Sequence, residues 1–169
     1  MMENKAAALN RNKKIAIRGV LIALAMILSY IESFIPVSSA IPGIKLGLAN
    51  IVTIYALERL GAKDALVISL LRIFLSSFLF GNPAMMVYSL SGALLSILVM
   101  SLLSRIVKFG IIGISVAGAV SHNIAQCAAA ALLLQNTNVM QYVPVLVLSG
   151  IAAGIITGII SAAVLKEVE

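Results

Sequence analysis

Apolar residues run along this chain in blocks too long for a water-soluble fold. The blocks are Ile15–Ile35, Leu46–Leu60, Ala65–Phe80, Ala84–Leu103, Ile111–Leu134 and Tyr142–Leu165. A helix needs about 20 mostly apolar residues to cross the hydrocarbon of a bilayer. The pattern therefore predicts about six transmembrane helices, the second and third of them short. Those two are expected to tilt, to borrow flanking residues or to bury against their neighbours. Turn chemistry separates the blocks: Pro36, Pro42 and Gly43 after the first, Gly61 after the second and Gly81-Asn82-Pro83 after the third. Gly110 and Gly113 mark the start of the fifth, and the polar run Gln135-Asn136-Thr137-Asn138 precedes the sixth. The expected organisation is a basic segment over 1–14 and a single transmembrane helical domain over 15–169.

Composition closes off the soluble alternative. Of 169 residues, 62% are hydrophobic and 11% charged, with a mean hydropathy of +1.13. Soluble domains carry about a quarter charged residues, and a globule of this size leaves too much surface facing water to hide the excess. The first block is longer than the ~7–15 residues of a signal-peptide core and lacks a small-residue cleavage site, so it reads as a retained helix.

Charge then orients the chain. All of its twelve Lys and Arg residues except Lys45 and Arg72 fall in the segments on one side once the amino terminus is placed there. Short loops rich in Lys and Arg stay in the cytoplasm, so both termini are expected inside, in the cell membrane. The basic excess is accounted for by topology and anionic lipid headgroups, which removes the case for a nucleic-acid partner.

A few polar groups lie at membrane depth, where they are costly and turn toward the bundle interior. Arg72 sits midway along the third block, with Ser69 and Ser76 on the same helical face. It reads either as an anion-binding group facing a cavity or as a structural Arg paired with Glu32 or backbone carbonyls. In the fifth block, His122, Asn123 and Gln126 form one polar stripe. A few placed polar groups on an apolar wall suit a ligand site, and the same groups can staple helices by hydrogen bonds. Glu32, Lys45, Asn50, Asn82 and Tyr88 cluster toward the outer half of the bundle, whereas the inner half is small and apolar. The expectation is an outward-facing cavity for a small, partly anionic or aromatic molecule.

Other chemistry is disfavoured. A lone His without neighbouring carboxylates lacks the ligands a transition metal needs, and Asp64, the sole Asp, stands at the membrane edge, away from His122. No metal or other cofactor is expected, and the single Cys127 reads as a packed small residue. No Gly-rich phosphate loop is present, so the chain alone is not an ATPase. Small residues recur at Gly150, Gly154 and Gly158, and at Ala16, Gly19 and Ala23. Such faces allow close helix approach, within the bundle or against a partner.

Lys45-Leu46-Gly47-Leu48-Ala49-Asn50, the Arg72 helix, Tyr88-Ser89-Leu90-Ser91-Gly92 and Gly118-Ala119-Val120-Ser121-His122-Asn123-Ile124-Ala125-Gln126 together resemble the Gx transporter family, also labelled heptaprenyl diphosphate synthase component I. That family is similar in size and helix layout to the substrate-binding S components of energy-coupling factor (ECF) vitamin transporters. The resemblance implies a six-helix subunit that captures a vitamin-, quinone- or isoprenoid-related nutrient or cofactor precursor from outside. It also implies docking onto a transmembrane coupling subunit driven by two ATPase subunits, with Ala16, Gly19 and Ala23 as a loose match to the docking face. Arg72 and Lys45 would hold an anionic or carbonyl group, His122, Asn123, Gln126, Asn50 and Glu32 would supply polar contacts, and Tyr88 an aromatic wall. The synthase label raises a second reading. Prenyl transfer needs Mg²⁺ and diphosphate, and hard cations want clustered oxygen ligands, which one Asp and five Glu near segment ends do not provide. An enzyme is not expected; a non-catalytic accessory subunit of a prenyl diphosphate synthase and a stand-alone secondary carrier are the alternatives.

Overall fold

The computed structural model describes residues 2–34, 47–106 and 109–167. Its described residues form six α-helices: α1 Met2–Ser33, α2 Leu48–Arg59, α3 Ala62–Phe80, α4 Pro83–Ile106, α5 Ile111–Leu133 and α6 Val143–Glu167. A short 3₁₀ helix, Thr137–Tyr142, leads into α6. The chain is an all-α membrane protein. Four stretches are long and apolar enough to cross a bilayer: Asn12–Ser33, Pro83–Arg105, Ile111–Leu133 and Thr137–Glu167.

The helix limits follow local chemistry. α1 begins well before Ile15, because Ala6, Ala7, Ala8 and Leu9 are strong helix formers that carry the helix into the basic segment. Gly61 closes the α2–α3 turn at φ 94°, a conformation that a side chain would strain. Asn82 caps α4 by accepting from the Met85 amide at 2.8 Å. The predicted breaker Pro36-to-Gly43 lies outside the described residues.

α2, α3, α4, α5 and α6 contact one another in sequence, and α6 returns to α2, which closes a ring. α1 packs on the ring from outside, against α2 and α3. This placement explains the two short segments. α2 is 12 residues, about 18 Å at 1.5 Å per residue, well under the hydrocarbon thickness of about 30 Å. It is enclosed by α1, α3 and α6, with Ala49, Val52, Thr53, Ile54, Ala56 and Leu57 buried. A helix apolar all round is a buried helix. α3 is 19 residues, but Lys63, Asp64 and Arg72 interrupt its apolar run.

The closest packing is between α5 and α6. A Cβ on Gly150 would come within 3.2 Å of the Val120 backbone, on Gly154 within 2.6 Å of Val116, and on Gly158 within 2.8 Å of Ile112. Each four-residue step along α6 matches a four-residue step back along α5, so this glycine row serves the bundle interior. By contrast, Ala16, Gly19 and Ala23 are exposed on α1, and nothing lies within 4 Å of a Cβ built on Gly19.

The two ends of the bundle differ. At the end where α1 starts and α3 begins, Lys14 reaches Asp64 at 2.9 Å and Arg18 donates to the other oxygen of that carboxylate. There, too, Arg59 donates to the Leu165 carbonyl at 2.8 Å, satisfying an orphan acceptor at the end of α6. At the opposite end, Tyr30 stacks edge-on with Phe34 and Phe80, at ring centroid distances of 4.8 and 5.5 Å. A belt of exposed apolar side chains, including Val20, Phe74, Phe78, Leu98, Leu148 and Ile156, separates the ends. In lipid such a belt carries no solvation penalty.

Candidate functional site

The apolar core does not fill the ring. Leu21, Val52, Ile54, Ala56, Leu57, Ala65, Ile68, Ile97, Met100 and Ile114 pack into one cluster. Alongside it lies a partly open cavity. Every helix contributes to the wall, α2 to α6 each with residues three or four apart on one face and α1 with a single residue. α4 presents Ser89, Ala93 and Ser96; α5 Ala119, His122 and Asn123; and α6 Gly150, Ala153 and Thr157. α2 adds Asn50 and Thr53, α3 adds Ser69 and Arg72, and Glu32 enters from the last turn of α1.

Two charges of opposite sign face this space. Arg72 donates through Nη1 to the Ser29 hydroxyl of α1 at 3.0 Å, while its Nε is buried with no partner. Glu32 accepts from the Gly47 amide through Oε1 at 2.6 Å. Gly47 is the left-handed residue (φ 75°) preceding α2, so the carboxylate sits at the positive end of a helix, where its charge is favoured. The ion pairs seen among the described residues both belong to Asp64. Arg72 and Glu32 attract one another at longer range without closing into a pair.

Neutral polar groups fill in the wall. Thr53 and Ser69 share a hydrogen bond at 3.1 Å, and Thr157 bonds Ser115 at 2.9 Å. The Ser96 hydroxyl is buried and unpartnered. His122 owes its place to Gly92 on α4, because a Cβ there would stand 2.8 Å from the imidazole. Asn123 divides its amide between two tasks. Its Nδ2 donates to the Leu146 carbonyl of α6 at 2.8 Å, and the residue also lines the cavity.

The structure brings together Glu32, Asn50, Arg72, His122 and Asn123 of the residues singled out in the sequence. Gln126 is buried and Tyr88 half-buried, and neither lines the cavity. Lys45 lies outside the described residues. Thr53, Ser89, Ser96 and Thr157 were missed, although hydroxyls repeating at three-, four- and seven-residue spacings within apolar helices were available as a signal. Among the described residues, no group of three His, Cys, Asp or Glu could hold a metal ion.

A family model described as heptaprenyl diphosphate synthase component I matches residues 21–164, from the second half of α1 to near the end of α6. No curated protein and no solved structure matches the chain. The chain belongs to the heptaprenyl diphosphate synthase component I family.

Proposed function

We propose that this family member is a substrate-capture subunit of the cell membrane, which binds a small organic nutrient or cofactor precursor for uptake by ATP-driven partner subunits. The observation that carries this reading is the cavity itself. Six helices contribute polar or small side chains to one space, and it holds a cation and a carboxylate that do not neutralise each other by contact. Charges at membrane depth that face a cavity mark substrate paths by default. The distribution of Lys and Arg supports cytoplasmic termini, which would put Glu32 and Gly47 toward the outside and make capture outward-facing.

Arg72 would orient an acceptor group of the substrate, Glu32 and Asn50 would meet donors, and His122 would add a bond from the α5 side. Lys45 would join them from the segment preceding α2. The exposed row Ala16, Gly19 and Ala23 on α1 supports docking against a transmembrane coupling subunit through close backbone approach. Two ATPase subunits would supply the energy for reorientation and release.

The family description favours a second reading, a non-catalytic accessory subunit of a prenyl diphosphate synthase. A mild-detergent pull-down of tagged protein from its native membrane separates the two. Recovery of a coupling subunit and ATPases supports uptake; recovery of a soluble prenyl synthase, with no ATPase, replaces it with the accessory role.

A further inference from the structure

We infer that Asp64, although outside the cavity, is a positioning residue for it. Acting through α1, it sets where Glu32 and Arg72 stand and so how firmly an occupant is held. The inference rests on the capture reading and names a control on that same site.

α1 is cavity wall at one end and a clamped helix at the other. Glu32, in its last turn, lines the cavity and accepts from the Gly47 amide at 2.6 Å. Ser29, three residues earlier, accepts from Arg72 Nη1 at 3.0 Å. Glu32 therefore belongs to α1, and Arg72 is directed by it. At the end where α3 begins, Lys14 and Arg18 of α1 hold the two oxygens of Asp64. That carboxylate is buried, and neither it nor its two partners lines the cavity.

These ties join two helices that run parallel, from Asp64 at one end to the Tyr30–Phe80 contact at the other. Asp64 and Arg72 are separated by about 12 Å along α3 and Arg18 and Ser29 by about 16 Å along α1, at 1.5 Å per residue. Between the ties, Leu21 and Ala25 of α1 are buried in the apolar core. Helices carry displacement as rigid elements, so a shift of α1 at Asp64 arrives at Ser29 and Glu32. Loss of the Asp64 carboxylate frees α1 to pivot about Leu21 and Ala25, taking Glu32 and the acceptor of Arg72 with it. Polar groups bind well only while their supports hold them within about 0.5 Å. The linkage is reciprocal: an occupant held by Glu32 and Arg72 favours the seated helix, and the seated helix retains the occupant.

The test loads immobilised, detergent-purified protein with a polar metabolite extract of the source cells. After timed washes, the retained compounds are quantified by high-resolution mass spectrometry, with Arg72→Gln as the blank. Asp64→Asn is compared with wild type and with Arg59→Gln, which cuts a tie between α2 and α6 at the same end of the bundle. All are washed well below their unfolding midpoints, so that unfolding does not release the compound. Arg18→Gln replaces Asp64→Asn if the latter does not run as one peak on size exclusion. The expected result is a compound enriched on wild type over Arg72→Gln and lost from Asp64→Asn on the order of tenfold faster, an ordinary coupling between sites. Arg59→Gln should lose it at the wild-type rate. Loss from Asp64→Asn no faster than from wild type, or no faster than from Arg59→Gln, overturns the positioning role and leaves capture standing. Enrichment of nothing on wild type over Arg72→Gln overturns both.

Discussion

The Arg72 guanidinium on α3 donates to the Ser29 hydroxyl on α1 at 3.0 Å, so a peripheral helix fixes the direction of the cation inside the bundle. α1 is otherwise held to the ring by Leu21 and Ala25, its buried apolar residues, and by the contacts of Lys14, Arg18 and Glu32. Ser29→Ala should destabilise the protein by about 1.5–3 kcal/mol, the usual worth of a hydrogen bond to a charged group, seen as a lower unfolding midpoint in detergent. An unchanged midpoint would mean that the bond does not contribute to holding α1 in place.

Gly154 and Gly19 are both helical glycines, yet they should respond oppositely to alanine. At Gly154 the new Cβ would lie 2.6 Å from Val116 Cα, backbone that cannot yield without separating α5 from α6. Overpacking of this kind costs about 1–3 kcal/mol. At Gly19 there is open space, and alanine should stabilise the helix by up to about 1 kcal/mol. Thermal unfolding of the two variants side by side reads the difference.

Asp64 makes stability acid-sensitive. Burial pushes its carboxyl upward, but hydrogen bonds and charges from Lys14 and Arg18 together outweigh this and hold its pKa below the ordinary carboxylate value. A depressed folded pKa means that the stabilisation is fully present above the unfolded value, about 3.9, and is lost as pH falls through the lower folded value. Wild type should lose more stability between pH 5 and pH 2 than Asp64→Asn does. Equal losses in unfolding scans of the two would contradict the clamp.

The path of the chain was largely legible in its sequence, because blocks of apolar residues bounded by Gly, Pro and Asn admit few other structures in lipid. Helix limits agree within a few residues except at the start of α1, where helix propensity outlasts the apolar block. Hydropathy could not reveal that α2 is enclosed, since a buried helix and a lipid-facing one are equally apolar. The site was legible only in part. Arg72, His122 and Asn123 stand out because polar groups are rare in such helices. Gln126 looked equivalent to them on spacing, but the cavity wall on α5 runs through Ala119, His122 and Asn123, a turn before it. Thr53 and Thr157 were hidden because a hydroxyl that bonds its own helix, as Thr157 does with Ala153 at 2.9 Å, is unremarkable in sequence.

Gly92→Ala should move the imidazole without emptying the helix of structure. The added carbon would meet His122 ring atoms at 2.8–2.9 Å, and the ring can swing more easily than the α4 backbone can shift. As the chain has a single His, its imidazole resonances can be assigned without further mutants. The expected outcome is a shifted imidazole signal, with the unfolding midpoint lowered by no more than a typical overpacking cost of about 1–3 kcal/mol. An unmoved resonance would argue that α4 and α5 part instead.

If the ring encloses a binding site, filling that space should abolish binding. Ala93 is buried and lines the cavity, so Ala93→Phe places an aromatic ring in the volume an occupant would use. Non-denaturing mass spectrometry of wild type and Ala93→Phe, released from the same mild detergent, reads occupancy as added mass. The expected result is a discrete small-molecule adduct on wild type and its loss from a still-folded Ala93→Phe. No adduct on wild type, or the same adduct on both, would contradict it.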